Sequence, residues 1–327
     1  MTRRRMLFVR DFQMYSGGHG KVFDWFRHVG SHPGWSSALW LTPRSRRGVG
    51  NPWVDAGIEP LSGERCPVEC FDALFLAGMD WEWVQPLPGQ PVINLIQSLR
   101  HADALDPRFP YLRNPALRIA VSREIARLVT KVGCSPPQVE VVPAAIDVSA
   151  LRAQALRARQ VPGLPNAFVD GTKDVALGQA VANLLERNGV PCTCIVTPIP
   201  RHTYLGRLAR ATVAILLPAA REGFYLPAME AMAMGVPVVT CDAGGNREYL
   251  RPGVNALVVA REATAMADAA TNLIGDVRKR GSLVAAGARI AMQFDLPCEQ
   301  RLAHAVLDRV PHYLDTFPPC PKSTTSH

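Results

Sequence analysis

Short apolar runs without polar alternation punctuate the chain at residues 6–10, 37–41, 73–77, 91–97, 117–122 and 139–142, and again at 167–169, 192–197, 213–217 and 256–259. A strand with one face in water alternates apolar and polar side chains. A run apolar on both faces belongs inside a sheet covered on both sides, the environment of parallel strands joined by helices. The intervals supply the helices. Ser122 is a natural N-cap for residues 123–132, Glu124 lies in the first turn and Gly133 follows the last, which are start and stop signals of a helix. Residues 174–188, 203–211, 262–274 and 277–292 read the same way. Such alternation predicts an open, doubly wound α/β architecture.

A chain of 327 residues exceeds one core and divides into two domains. The pattern places them at residues 1–148 and 149–296, with residues 151–160 and the prolines Pro162 and Pro165 reading as a junction. A C-terminal helix is expected over residues 297–317, packing back on the first domain, before a disordered tail at 318–327. No apolar run approaches the roughly 18 residues of a membrane span. The basic N-terminus leads straight into a strand pattern, not a signal-peptide core, so the expected location is the cytoplasm, free or peripheral to a membrane.

The eight cysteines fall at uneven positions, and neither Cys66 with Cys70 nor Cys192 with Cys194 has zinc-knuckle spacing. Buried or incidental thiols are expected instead of metal or disulfide roles. The formal net charge of +8 gathers at Arg3, Arg4, Arg5 and at Arg44, Arg46, Arg47. That balance favours polyanionic partners: a nucleotide diphosphate, a lipid phosphate at a membrane surface, or nucleic acid. A merely solvated basic surface is the plain alternative.

Two stretches have the chemistry to meet an anion. The first run ends in Asp11 and a turn, YSGGHGK, before the helical spacing of Val22, Phe23, Phe26 and Val29. Gly17, Gly18 and Gly20 match neither a G-x-G-x-x-G fingerprint nor a Walker loop, yet a strand, a glycine turn and a helix N-terminus present backbone amides. The second is residues 219–250, AAREGFYLPAMEAMAMGVPVVTCDAGGNREYL. Glu222 falls in the loop after a buried strand, and Pro227 suits the first turn of the next helix, which places Glu230 one turn inside it. A carboxylate accepts well from a vicinal diol, Gly223 permits close backbone approach, and the helix N-terminus favours phosphate.

The sequence from Glu222 to Glu230, continued by AMAMGVPVV, GGNREYL and GVNALVV, resembles the donor-binding segment of glycosyltransferase family 4, retaining enzymes of GT-B fold. Weaker likeness extends through PVINLIQSLRHAD and RIAVSREIARLV. The resemblance implies two Rossmann-like doubly wound α/β domains facing across a cleft. It implies Glu222 on donor-sugar hydroxyls beside the amides of Gly223 and Phe224, with Tyr225 and Leu226 in the same turn. It implies Glu230 on the ribose, and Gly244 and Asn246 lining the pocket. Lys173 and the amides of Gly17 and Gly18 would stabilise phosphate, and His101 would complete a catalytic set with Glu222 and Lys173.

No metal or bound cofactor is implied. The co-substrate is a UDP-, GDP- or dTDP-linked sugar, and the expected activity is hexosyl or deoxyhexosyl transfer to a glycan, a lipid-linked glycan or nucleic acid. Three departures stand out. Phe168 falls where the family carries an Arg before Lys173, leaving Arg201 or Arg221 to compensate charge. The interval 197–213 is one strand-helix unit short, and Gln97 ends its strand where relatives carry a His, with His19 and His101 the candidates nearby. These departures motivate an alternative, a nucleotide-sugar-binding protein without turnover.

Overall fold

The computed structural model describes residues 3–133, 139–160 and 166–315, with side chains as far as Val310. It separates into two compact units. Unit 1 takes the chain up to Pro143 and again from Glu299, and unit 2 is Ala144–Cys298.

Unit 1 opens with β1 (Arg4–Arg10), α1 (Gly17–Ser31), β2 (Trp35–Leu41) and the short α2 (Pro52–Asp55). It continues through β3 (Ala73–Ala77), β4 (Val92–Ile96), β5 (Leu117–Ala120), α3 (Arg123–Lys131) and β6 (Val139–Val141). The six strands pair in the order β2-β1-β3-β4-β5-β6, and every pairing is parallel. Met6 registers with Ser37 on one side and Ala73 on the other. Both faces of β1, β3 and β4 are buried, as their unbroken apolar runs require. Leu7, Val9, Trp40, Leu74 and Leu76 fill one layer. On the other, Phe8 stacks on Phe75 at 4.4 Å and meets the edge of Phe26 at 5.2 Å.

The chain runs outward from β1 to β2 and then returns to β3, so the winding reverses beside β1. In open α/β sheets the carboxyl ends of strands at such a reversal form the ligand crevice. Gly17, Gly18 and Gly20 lie here, although not in a turn: they are the first turn of α1, N-capped by Ser16, whose hydroxyl accepts from the His19 amide. The Ser16 cap starts the helix at Gly17. A Cβ at Gly20 would sit 2.6 Å from the Tyr15 hydroxyl.

Unit 2 begins with α4 (Val148–Ala158), where the sequence pattern predicts a junction. Asp147 caps it by accepting from the Ala150 amide at 2.8 Å, and Leu151 and Ala155, one turn apart, are buried. The unit boundary accordingly falls at Pro143, not at residue 148. Pro162, Pro165 and the expected tail at 318–327 lie outside the described residues.

Next come β7 (Ala167–Asp170), α5 (Val175–Arg187), β8 (Cys192–Ile195), α6 (Arg201–Ala209), β9 (Val213–Leu216), α7 (Leu226–Ala233), β10 (Val238–Thr240) and β11 (Leu257–Val258). The helices α8 (Ala263–Gly275) and α9 (Val277–Gln293) complete the unit, and α10 (Leu296–Asp315) carries the chain back to unit 1. The five strands pair in the order β11-β10-β9-β7-β8, all parallel. Val169, Val181, Leu185, Ile215, Val239 and Met266 build the core beneath α5 and α8. A Cβ added to Gly171 would meet the Cα of Gly178 at 2.8 Å. That absence of side chains seats the start of α5 directly against the end of β7.

Candidate functional site

Parallel strands bring their carboxyl ends to one edge, so loops remote in sequence become neighbours. In unit 2 the β7–α5 loop, the β9–α7 loop and the loop after β10 meet in this way. The Glu222 amide donates to the Ala243 carbonyl at 2.9 Å, and the Glu222 carbonyl accepts from the Gly245 amide at 3.0 Å. The crossing is so close that any Cβ at Gly245 would overlap the Gly223 and Glu222 carbonyl oxygens. Gly244 takes φ 81°, a conformation that favours glycine.

The Glu222 backbone fixed, its side chain has defined partners. Oε1 accepts from the Ala219 amide at 3.0 Å and from Lys173 Nζ at 2.5 Å. Lys173 reaches it from the β7–α5 loop, with its ammonium 5.2 Å from the centre of the Tyr225 ring. Tyr225 is the one non-glycine residue at positive φ among the described residues, with φ 70° and ψ 71°. A non-glycine residue in the left-handed region costs on the order of 1–3 kcal/mol unless its surroundings fix it. Here the Tyr249 hydroxyl donates to the Tyr225 carbonyl at 2.6 Å, and Phe224 packs on Tyr249 and Phe294.

This strained residue caps α7 with no side-chain hydrogen bond, and no acidic residue occupies the first turn, which Leu226 begins. The amide end of the helix is therefore free for an anion. One turn in, Glu230 is only 2% exposed. A buried carboxylate requires a partner, and Oε1 accepts from Arg201 Nη2 at 2.6 Å. Neither Glu222 nor Glu230 uses Oε2 in a hydrogen bond among the described residues. Each carboxylate thus has one oxygen held by a cation and a second outside the hydrogen bonds of the described residues.

Glu222, Gly223, Tyr225, Lys173 and Gly244 are thus brought together, and Arg201, one of two candidate charge partners, joins Glu230. Asn246 is buried within its own loop. Its Oδ1 accepts from the Ala243 amide and its Nδ2 donates to the Cys241 carbonyl, which closes the loop and uses its polar atoms on the backbone. Phe168 stands inside β7, fully buried, with its ring edge-on to Tyr204 at 5.4 Å. A side chain at that position points into the core, so no phosphate-clamping Arg is displaced by it. The strand end is occupied instead by Asp170, which accepts from the Tyr204 hydroxyl at 2.9 Å and from Thr172. Asp170 and Tyr204 were not among the sequence candidates; the only signal was an Asp-Gly pair closing an apolar run.

The remaining candidates belong to unit 1. Gly17 and Gly18 begin α1. His101 lies in a 3₁₀ turn after β4, 4% exposed, with Nδ1 3.0 Å from the Ser98 carbonyl and Nε2 buried without a hydrogen bond. Burial, reinforced by the Arg108 charge, pushes its pKa down to about 4. The buried ring is therefore held in its neutral form near pH 7. No group of three or more His, Cys, Asp or Glu side chains among the described residues is arranged for a metal ion. No described helix is long and apolar enough to cross a membrane.

Residues 169–276 match the family model described as glycosyl transferases group 1. Over 94% of this chain and 100% of the other, the structure superposes on Anabaena HepE in complex with UDP and glucose, with a TM-score of 0.71 at 16% identity. The chain has the GT-B fold, and the glycosyl transferases group 1 match lies within its second unit.

The GT-B chain also superposes on sucrose-phosphate synthase from Thermosynechococcus elongatus, with a TM-score of 0.70 at 14% identity over 95% of this chain and 100% of that one. Among curated relatives, it is 40% identical over 92 residues to D-inositol 3-phosphate glycosyltransferase of Frankia alni, 28% of this chain and 22% of that protein. It is 28% identical over 185 residues to GDP-mannose-dependent alpha-mannosyltransferase of Mycolicibacterium smegmatis, 51% of this chain and 49% of that protein. The GT-B chain therefore spans a half or less of the length of these two relatives.

Proposed function

We propose that this protein is a retaining glycosyltransferase that moves a hexosyl or deoxyhexosyl group from a UDP-, GDP- or dTDP-sugar to a hydroxyl of a glycan or lipid-linked glycan. The carrying observation is the pair of half-engaged carboxylates on either side of the uncapped start of α7: Glu222 held by Lys173 and Glu230 held by Arg201. In this reading the open oxygen of Glu222 accepts from donor-sugar hydroxyls and that of Glu230 from the ribose. The amides of Gly223, Phe224 and Leu226 face the diphosphate. The UDP and glucose of HepE and the GDP-mannose in the name of the mycobacterial relative support a nucleotide-sugar donor.

The chemistry asks for no covalent nucleophile. The bond from the anomeric carbon to the diphosphate oxygen breaks and a bond to the acceptor oxygen forms on the same face. The leaving phosphate oxygen takes the acceptor's proton. Lys173 supplies positive charge where negative charge grows, and its contact with Glu222 and the Tyr225 ring holds it in place before reaction. Neither a metal nor a further cofactor enters this scheme. The basic clusters of unit 1 fit an acceptor presented in the cytoplasm or at an anionic membrane surface. A protein that binds without turnover loses its main motive, because Phe168 is a core residue.

A thermal-shift series with UDP, GDP, dTDP and their sugars tests the donor. At 100 times its dissociation constant, the right nucleotide stabilises the protein by about 2.7 kcal/mol, and Glu230→Ala removes that shift. Glu222→Gln lowers sugar-dependent affinity by about 1.5–3 kcal/mol while nucleotide binding persists. If no nucleotide raises the melting temperature, the proposal fails. NMR of the product's anomeric proton decides retention.

A further inference from the structure

At the carboxyl end of β1 the side chain of Arg10 is buried and pinned: Nη1 donates to the Ala77 carbonyl at 3.1 Å and to the carboxylate of Asp80, which also accepts from the Ala77 amide at 2.8 Å. Its other terminal nitrogen, Nη2, lies 2.9 Å from Nδ1 of His19, in the first turn of α1. A guanidinium has only donors and keeps its proton throughout the working range of a protein. Nδ1 of His19 must therefore be the acceptor, and the ring proton resides on Nε2. Nε2 makes no hydrogen bond among the described residues.

This inverts the arrangement of a hydrolytic triad, in which a carboxylate accepts from Nδ1 and leaves Nε2 as a base. We infer that His19 is locked as the neutral Nε2–H tautomer and acts as a hydrogen-bond donor to an oxygen of the acceptor substrate, not as a proton acceptor. The substrate assignment rests on the glycosyltransferase reading; the tautomer does not. Burial, with the Arg10 charge added, lowers the pKa of His19 to about 4, so the ring stays neutral near pH 7. The opposing charge of Asp11 is tied up by Thr42 Oγ1 at 2.7 Å, Gln13 Nε2 at 2.9 Å and Arg44 at 3.3 Å. The edge of the ring against Phe12, with centroids 4.9 Å apart, fixes its plane. As a donor, His19 selects a lone pair on the substrate and does not itself remove the substrate's proton.

Two-bond proton–nitrogen NMR of the full chain labelled with nitrogen-15 in histidine reads the tautomer directly, with His19→Gln giving the assignment. The expected spectrum shows His19 protonated at Nε2, bare at Nδ1 and unchanged between pH 5.5 and 8. A proton on Nδ1, or titration within that range, overturns the inference. Titration with inorganic phosphate and with methyl α-mannoside then tests substrate contact. Movement of the His19 Nε2–H resonance with phosphate identifies an anionic oxygen, movement with the glycoside a hydroxyl, and movement with neither overturns the contact. Glutamine, whose amide N–H can stand in for Nε2–H, keeps the affinity for the responding probe. His19→Phe weakens it about five- to tenfold, and an unchanged affinity in His19→Phe overturns the donor role. A melting temperature insensitive to nucleotides defeats the glycosyltransferase reading alone.

Discussion

Asp80 and His101 are both buried in unit 1, and burial moves them in opposite senses. Burial raises Asp80 to about 6, against the opposing pull of Arg10 and the Ala77 amide. Because its unfolded value is near 3.8, the folded protein binds the Asp80 proton more tightly. Its contribution favours the fold at low pH and is lost as pH rises through about 6. His101 falls from 6.5 to about 4, so the unfolded chain binds the proton more tightly. Its contribution is complete above 6.5 and is lost as pH falls through 4, and His19 behaves alike. Asp80→Asn should therefore gain stability relative to the wild type between pH 4 and pH 7, by on the order of 2–3 kcal/mol. His101→Leu should be the less acid-sensitive protein. Urea midpoints at the two pH values check both signs, and a pH-independent difference for Asp80→Asn would contradict the burial argument.

At the scale of elements, the site depends on the crossing of the β9–α7 loop with the loop after β10. Gly245→Ala forces a methyl group into two backbone carbonyls, and neither belongs to a flexible side chain that can move aside. The expected loss is about 3 kcal/mol, together with the nucleotide-induced thermal shift. Gly275→Ala is the control, since nothing lies within 4 Å of its Cβ position and its φ is not positive; denaturant midpoints separate the two.

The same loops show what the sequence could convey. The strands were legible because a fully buried strand has to be apolar on both faces, and Glu222 and Glu230 because their eight-residue spacing is local, whereas the contact of Lys173 with Glu222 spans 49 residues. Helix α4 was obscured by its arginines, since Val148, Leu151 and Ala155 alone mark its buried stripe. The left-handed Tyr225 leaves no trace in composition, because its conformation is imposed by Tyr249 from 24 residues away. The pairing of Arg201 with Glu230 spans 29 residues and that of Arg10 with Asp80 spans 70. Such pairs follow from strand order, which periodicity does not encode.

For the whole molecule, unit 2 is inserted between two segments of unit 1, and the returning segment is held by buried charge. Lys21 of α1 donates to Glu299 of α10 at 2.6 Å and to Asp24 at 2.8 Å, and His28 Nε2 lies 3.1 Å from the same Glu299 oxygen. The side chains of Lys21 and Glu299 are 3% and 0% exposed. Farther along, the Trp35 indole donates to the Leu307 carbonyl and Arg309 pairs with Glu140. Removing one member of a buried ion pair leaves the other charge desolvated and costs about 3–5 kcal/mol, whereas replacing both by apolar groups is often close to neutral. Lys21→Met should therefore destabilise unit 1 strongly, and Lys21→Met with Glu299→Leu should recover most of the loss. Calorimetry of the two variants beside the wild type measures the loss and its recovery. A double variant no more stable than Lys21→Met would show that the cluster holds α10 by something other than charge pairing.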